Sequence, residues 1–89
     1  MKNEKLLIEK LSEIEHRQWE SWSKYLWNEL KYIKSVLESK NNKLAVSLLD
    51  SRYQRWKKYW VPYSELDEET KDKDRVWAEE VLSILKKHL

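Results

Sequence analysis

The sequence predicts an all-α fold: a small three-helix domain with a long N-terminal helix and a short Pro-containing connector before the last helix. Three observations predict it. The 89-residue chain has no Gly and one Pro, Pro62. Without Gly, backbone positions with positive φ are costly, so tight hairpins are disfavoured and long helices fit best. Apolar residues recur at spacings of three and four, the helical period, over most of the chain. The few punctuating residues, Asn41-Asn42 and Pro62, divide it into three such stretches.

The first helix is predicted from about Glu4 to about Ser39. Leu7, Leu11, Ile14, Trp22, Leu26, Leu30, Ile33 and Leu37 mark its apolar stripe, widened by Trp19. Its length, roughly 50 Å at 1.5 Å per residue, exceeds what a domain this short needs to cover. A kink near Glu15 to Gln18 is one way to shorten it, although no Pro or Gly marks one. Ser39 to Lys43 reads as a linker, with Asn41-Asn42 replacing the missing Gly because Asn tolerates the left-handed conformation.

The second helix carries Leu48, Leu49, Tyr53, Trp56 and Tyr59 or Trp60. Its start has two readings. Asn42 caps it, or Asp50 caps a shorter version that leaves Leu44 to Leu49 irregular. Trp60-Val61-Pro62 ends it, since Pro62 disfavours the helical conformation at Val61 and has no N–H to donate. Tyr63 to Leu66 is the connector. Asp67 is the expected N-cap of the third helix. Glu68 and Glu69 at its start and Lys86, Lys87 and His88 at its end match the helix dipole. Its expected buried stripe is Trp77, Val81, Ile84 and Leu85, with Ala78 allowing close approach.

Composition narrows the function classes. The chain is read as a single domain over residues 1–89. Net charge is +2 with 38% charged residues, which argues against a duplex-DNA binder with its strongly basic face. No Cys is present, so thiolate chemistry and disulfides are excluded and a reducing, cytoplasmic location is expected. No apolar run approaches the roughly 20 residues of a membrane span, and Met1 to Lys10 lacks the pattern of a signal peptide. A metal site finds two distant His residues and no Cys, too few donors for zinc. Ser21 and Ser23 have no recognisable base and orienting acid, and a phosphate loop is impossible without Gly. No catalytic residue, metal or cofactor is expected, and the chain is read as a noncatalytic binding module.

Six Trp residues and no Phe are the unusual feature. Trp19, Trp22 and Trp56 have two readings: helix-spaced core, or the wall of a pocket. Arg52 and Arg55 lie on nearly the same helical face as Trp56 and Tyr59. An aromatic surface edged by Arg supplies what a nucleotide needs, a stacking plane and a fork for phosphate. The rival reading pairs these Arg residues with the acidic start of the third helix.

One segment carries more than periodicity. Val61, Pro62, Tyr63, Glu65, Leu66, Glu68 or Glu69, Lys71, Asp74 and Arg75 fit the pattern "VPY-x-EL-x-E-x-x-K-x-x-DR", and His16 and Trp19 fit an upstream "H-x-x-W". From His16 to about Leu85 the chain resembles the RyR domain, the small repeat of ryanodine receptors also found in bacterial and phage proteins. The receptor-type "GW-x-YG" turn and "HP" are absent, and Trp56 to Trp60 stands in their place. In that part the chain resembles short phage proteins of the form "W-x-x-W-x-x-Y … RW … PY-x-EL … DR". The resemblance implies a sensor of a small, nucleotide-derived ligand. In a phage, and so in the host cytoplasm, it would be a sponge that sequesters a host immune signal. The expected site combines Trp19 and Trp22, Arg55 and Trp56, and Tyr63 and Arg75. Adjacent Asp74 and Arg75 point about 100° apart on a helix, so each is expected to bond a different neighbour. For Arg75 the alternative to a ligand is a hold on the Tyr63 connector. The competing function is a helical protein-interaction or structural module that homodimerises. Residues 1–15 are read as an N-terminal extension whose Leu7, Leu11 and Ile14 form the dimer contact.

Overall fold

The computed structural model describes residues 3–88. It contains three α-helices, α1 (Glu4–Ser39), α2 (Lys43–Lys57) and α3 (Glu68–His88), with a 3-10 turn over Tyr63–Glu65 before α3 and no strand among the described residues. The all-α, three-helix class with a long first helix is the one the sequence predicts. Met1 and Lys2, part of the expected N-terminal extension, lie outside the described residues. The chain divides into two compact units. One joins the start of the chain through Trp19 to everything from Val61 onward; the other is Glu20–Trp60. Helix α1 contributes to both units, and its helical assignment is uninterrupted at Glu15 to Gln18.

The ends of the helices follow local chemistry. Asn41 takes φ 55°, the left-handed conformation that Asn tolerates without Gly. Asn42 then caps α2, its side-chain oxygen accepting from the Ala45 N–H at 3.2 Å. That decides between the two starts: Leu44 to Leu49 are helical. Helix α2 stops at Lys57, three residues short of Trp60, and the chain leaves it through tight bonds from Tyr59 N to Trp56 O and from Trp60 N to Lys57 O. Pro62 is extended, and the turn closes with Glu65 N on Pro62 O at 2.9 Å. Asp67 caps α3 by accepting from Thr70 N at 2.7 Å, and that bond together with the Thr70 side chain holds its carboxyl below the usual range.

In the unit formed by residues up to 19 and from 61 onward, α1 and α3 run antiparallel. Glu4 pairs with Lys86, and His16 Nδ1 lies 3.6 Å from Asp74 Oδ2. The second pair sits twelve residues further along α1 and twelve back along α3. That register brings Ser12 level with Ala78, both fully buried, and Ile8 level with Leu82. Ser12 satisfies its hydroxyl on the Ile8 carbonyl at 2.7 Å.

This register corrects two expected stripes. On α3 the buried residues are Ala78 and Leu82, while Trp77, Val81, Ile84 and Leu85 are exposed. On α1, Ile14 and Trp22 are exposed, and Leu7 and Leu11 are half-buried. The buried face of α1 is instead Ser12, His16, Ser23 and Trp27, a helical repeat with three polar members. The small residues Ser12 and Ala78 let the helices approach closely. The Glu4–Lys86 pair and the His16–Asp74 contact at the two ends then fix which face of α3 turns inward.

In the Glu20–Trp60 unit the centre is aromatic. Trp27, 8% exposed, stacks on Tyr53 with centroids 4.8 Å apart. Tyr53 meets the edge of Trp60 at 6.0 Å. The Trp60 indole N–H donates to Ser23 Oγ at 2.8 Å, and that hydroxyl donates to the Glu20 carbonyl. The burial of Ser23 is thus matched by two hydrogen bonds. Lys34 reaches Asp50 at 2.6 Å, tying α1 to α2 near the linker and raising the Lys34 pKa.

Candidate functional site

The six expected site residues divide between the units. Trp19, Tyr63 and Arg75 belong to one; Trp22, Arg55 and Trp56 belong to the other.

In the first unit, Tyr63 and Arg75 meet on a single carboxylate. Tyr63 OH donates to Glu9 Oε2 at 2.9 Å, and Arg75 Nε donates to Glu9 Oε1 at 2.6 Å. Arg75 Nη1 also bonds Glu68 and Asp72, each at 2.8 Å. The Arg75 bond, helped by the Tyr63 hydroxyl, holds the Glu9 carboxyl below its usual range. Burial and the bond to Glu9 push the Tyr63 phenol up, and the three carboxylates keep Arg75 firmly charged. Beside this cluster, His16 is buried against the start of the connector. Its Nε2 is 2.7 Å from the Val61 carbonyl, and its ring stacks on Trp19 at 5.8 Å. A carbonyl only accepts, so Nε2 carries the proton and Nδ1 faces Asp74. Burial raises the Asp74 pKa. Asp74 and Arg75 do bond different neighbours, as their spacing on the helix requires. His16, Val61, Tyr63, Asp74 and Arg75, all of them motif residues, are joined through this network. Its work is to fix the connector. Tyr63 is 7% exposed with its hydroxyl on Glu9, and the Arg75 charge is met by three carboxylates.

The second unit presents a different surface. Arg52, Arg55 and Trp56 share one face of α2. Trp22 of α1, 55% exposed, leans on Trp56 with centroids 6.1 Å apart and planes tilted by 56°. The Arg52 guanidinium lies 5.5 Å over the Trp56 ring. Arg55 donates to Ser51 at 2.8 Å on the exposed side of the helix. Among the described residues neither Arg52 nor Arg55 is ion-paired, in contrast to Arg75 with three carboxylates. A flat ligand inserted between two aromatic planes needs them about 7 Å apart and parallel, given close-packed contacts of about 3.5 Å on each side. The Trp22–Trp56 pair is too close and too tilted for that. Of the two rings, the exposed outer face of Trp22 is the plane left open to a flat ligand.

Sequence reasoning passed over Trp27 and Glu9 and read Trp60 as the end of the second helix. Trp27 and Trp60 build the core of the Glu20–Trp60 unit, and Glu9 is the acceptor that organises the motif residues. The available signal was the repeat Glu9, Ser12, His16, Trp19, Ser23, which has the helical spacing but a polar composition. Two clefts lie elsewhere. One of about 460 Å³ is lined by Glu4, Ile8, Leu82 and Lys86 among others. The second, of about 340 Å³, is lined by Asn41, Asn42, Val46 and Asp50 among others. Neither contains any of the six residues. Among the described residues no group of His, Cys, Asp and Glu could hold a metal ion, and no helix is long and apolar enough to cross a membrane. Comparison with protein-family models, with curated proteins and with solved structures gives no match.

Proposed function

We propose that this chain is a noncatalytic binding module for a small, planar, anionic ligand, with a nucleotide-derived molecule as the best chemical fit. The observation that carries the reading is the solvent-facing aromatic surface of the Glu20–Trp60 unit, edged by two Arg residues that no carboxylate among the described residues neutralises. The exposed indole of Trp22 offers a stacking plane worth about 1–3 kcal/mol per base. Arg52 and Arg55 offer guanidinium forks whose geometry matches phosphate. The reading narrows the site to Trp22, Arg52, Arg55 and Trp56, and gives Tyr63 and Arg75 the task of holding the connector. With no catalytic group at this surface, the module acts by holding its ligand, as the RyR-like sponge reading implies.

The experiment is a thermal melt against a panel of mono-, di- and cyclic nucleotides, followed by calorimetric titration. A ligand at 100 times its Kd adds roughly 2.7 kcal/mol of stability. Trp22→Ala and Arg55→Ala should each weaken binding about tenfold while the protein stays folded. A panel in which nothing shifts the melt, or unchanged affinity in both folded variants, sinks the reading.

A further inference from the structure

Helix α3 carries an apolar face that nothing among the described residues covers. Trp77 is 58% exposed, Ile84 59% and Val81 36%, with Leu85 beside them. The spacing of Trp77, Val81 and Ile84 is that of a helix–helix seam, four residues and then three. A continuous row of this kind on a small domain marks an interaction surface.

The charges beside the seam identify what fits it. Lys73, Glu80 and Lys87 recur every seven residues along one edge, and Glu80 and Lys87 are in no ion pair among the described residues. In an antiparallel pair of α3 helices related by a two-fold axis near Leu82 and Ser83, Val81 meets Ile84 of the second copy and Ile84 meets its Val81. Trp77 then packs over the last turn, at His88. The same register sets Glu80 of each chain against Lys87 of the other, giving two symmetry-related ion pairs. Sliding the helices by one heptad brings Glu80 against Glu80 and Lys73 against Lys87, which repel. A parallel pair gathers the basic last turns, Lys86, Lys87 and His88, at one end and aligns the helix dipoles unfavourably. Hydrophobic spacing and charge thus select one arrangement.

We infer that the outer face of α3 is the contact surface for a second copy of this chain, which packs antiparallel through Trp77, Val81 and Ile84 with reciprocal Glu80–Lys87 pairs. This goes beyond the ligand-binding reading and does not depend on it, because the ligand surface lies on residues 20–60. It also moves the self-association surface from the expected Leu7, Leu11 and Ile14 to the opposite end of the sequence. The seam spans only about three helical turns, so the interface is small and the dimer reversible, with a Kd on the order of tens of micromolar.

Sedimentation of the full chain from about 1 to about 300 µM brackets that affinity. The wild type should pass from monomer to dimer across the range. Trp77→Glu and Ile84→Glu should each raise Kd at least tenfold, roughly the loss for a central apolar contact, with helicity retained by circular dichroism. Glu80→Lys and Lys87→Glu alone should each raise it about three- to tenfold, and the two together in one chain should restore wild-type association. A wild type that remains monomeric throughout overturns the inference. So does a dimer that tolerates both Glu substitutions on α3 and is lost in Leu11→Glu. Failure of the double charge reversal to restore association overturns the antiparallel register.

Discussion

The His16 imidazole, on the first helix, bonds the Val61 carbonyl across 45 residues of sequence at 2.7 Å, and this one contact fixes where the connector begins. The ring is 3% exposed. Its removal both orphans a carbonyl and leaves a void against Trp19. His16→Ala should therefore cost about 2–4 kcal/mol, combining the hydrogen-bond and cavity penalties. Urea denaturation monitored by circular dichroism measures it. A loss within experimental error of zero would mean that the connector is held by Glu9 alone.

The Glu9–Arg75 pair gives the fold a specific acid limit. Glu9 has a folded pKa below its ordinary value of 4.5. Its contribution is present above that ordinary value and is lost as pH falls through the folded one. Asp74, raised by burial, acts with the opposite sign: its contribution is present at low pH and lost as pH rises through its folded pKa. Arg75→Gln should therefore lower stability at neutral pH and begin acid unfolding at a higher pH. The stability of Asp74→Asn relative to wild type should improve between about pH 3 and pH 7. Denaturation midpoints across that range test both. Identical profiles for wild type and Arg75→Gln would remove Glu9 from the acid transition.

On α3 the periodicity and the structure disagree, and mutation separates them. Leu82 is 5% exposed and Trp77 58%. Leu82→Ala should cost about 2–5 kcal/mol. Trp77→Ala, measured on dilute monomer, should melt within a few degrees of wild type. A Trp77→Ala protein that fails to fold under those conditions would restore the stripe expected from the sequence.

Ser23 and Trp60 are joined by a buried hydrogen bond inside the Glu20–Trp60 unit. Trp60→Phe keeps most of the ring but loses the donor, at a cost of about 1 kcal/mol. In a double-mutant cycle with Ser23→Ala, the coupling should be about 0.5–1.5 kcal/mol. Additive single effects would show that the two side chains act independently.

The sequence by itself determined the number of helices and much of the turn chemistry, but left the start of α2 open between Asn42 and Asp50 and placed its end at Trp60 rather than Lys57. Asn41 at positive φ, Asn42 and Asp67 as caps, and Pro62 in the connector are local decisions, made within a few residues by backbone sterics and side-chain hydrogen bonds. Tertiary structure alone decided which face of each helix is buried. On α1 the buried face is Ser12, His16, Ser23 and Trp27, and its polar members are invisible to a hydrophobic count because their partners lie far along the chain, at Val61 for His16 and at Trp60 for Ser23. On α3 the apolar stripe from Trp77 to Leu85 and the buried row of Ala78 and Leu82 are neighbouring faces of one helix. Periodicity cannot rank them. The ion pair of Glu4 with Lys86, the contact of His16 with Asp74, and the close approach that Ser12 and Ala78 allow turn the smaller face inward. For the site, the sequence determined the residue types, Trp beside Arg. Only the packed structure separated Arg75, paired with three carboxylates, from Arg52 and Arg55, which no carboxylate among the described residues neutralises. Glu68 and Asp72 reach Arg75 from its own helix, but Glu9 reaches it from α1, and no spacing along one helix encodes a distance between helices.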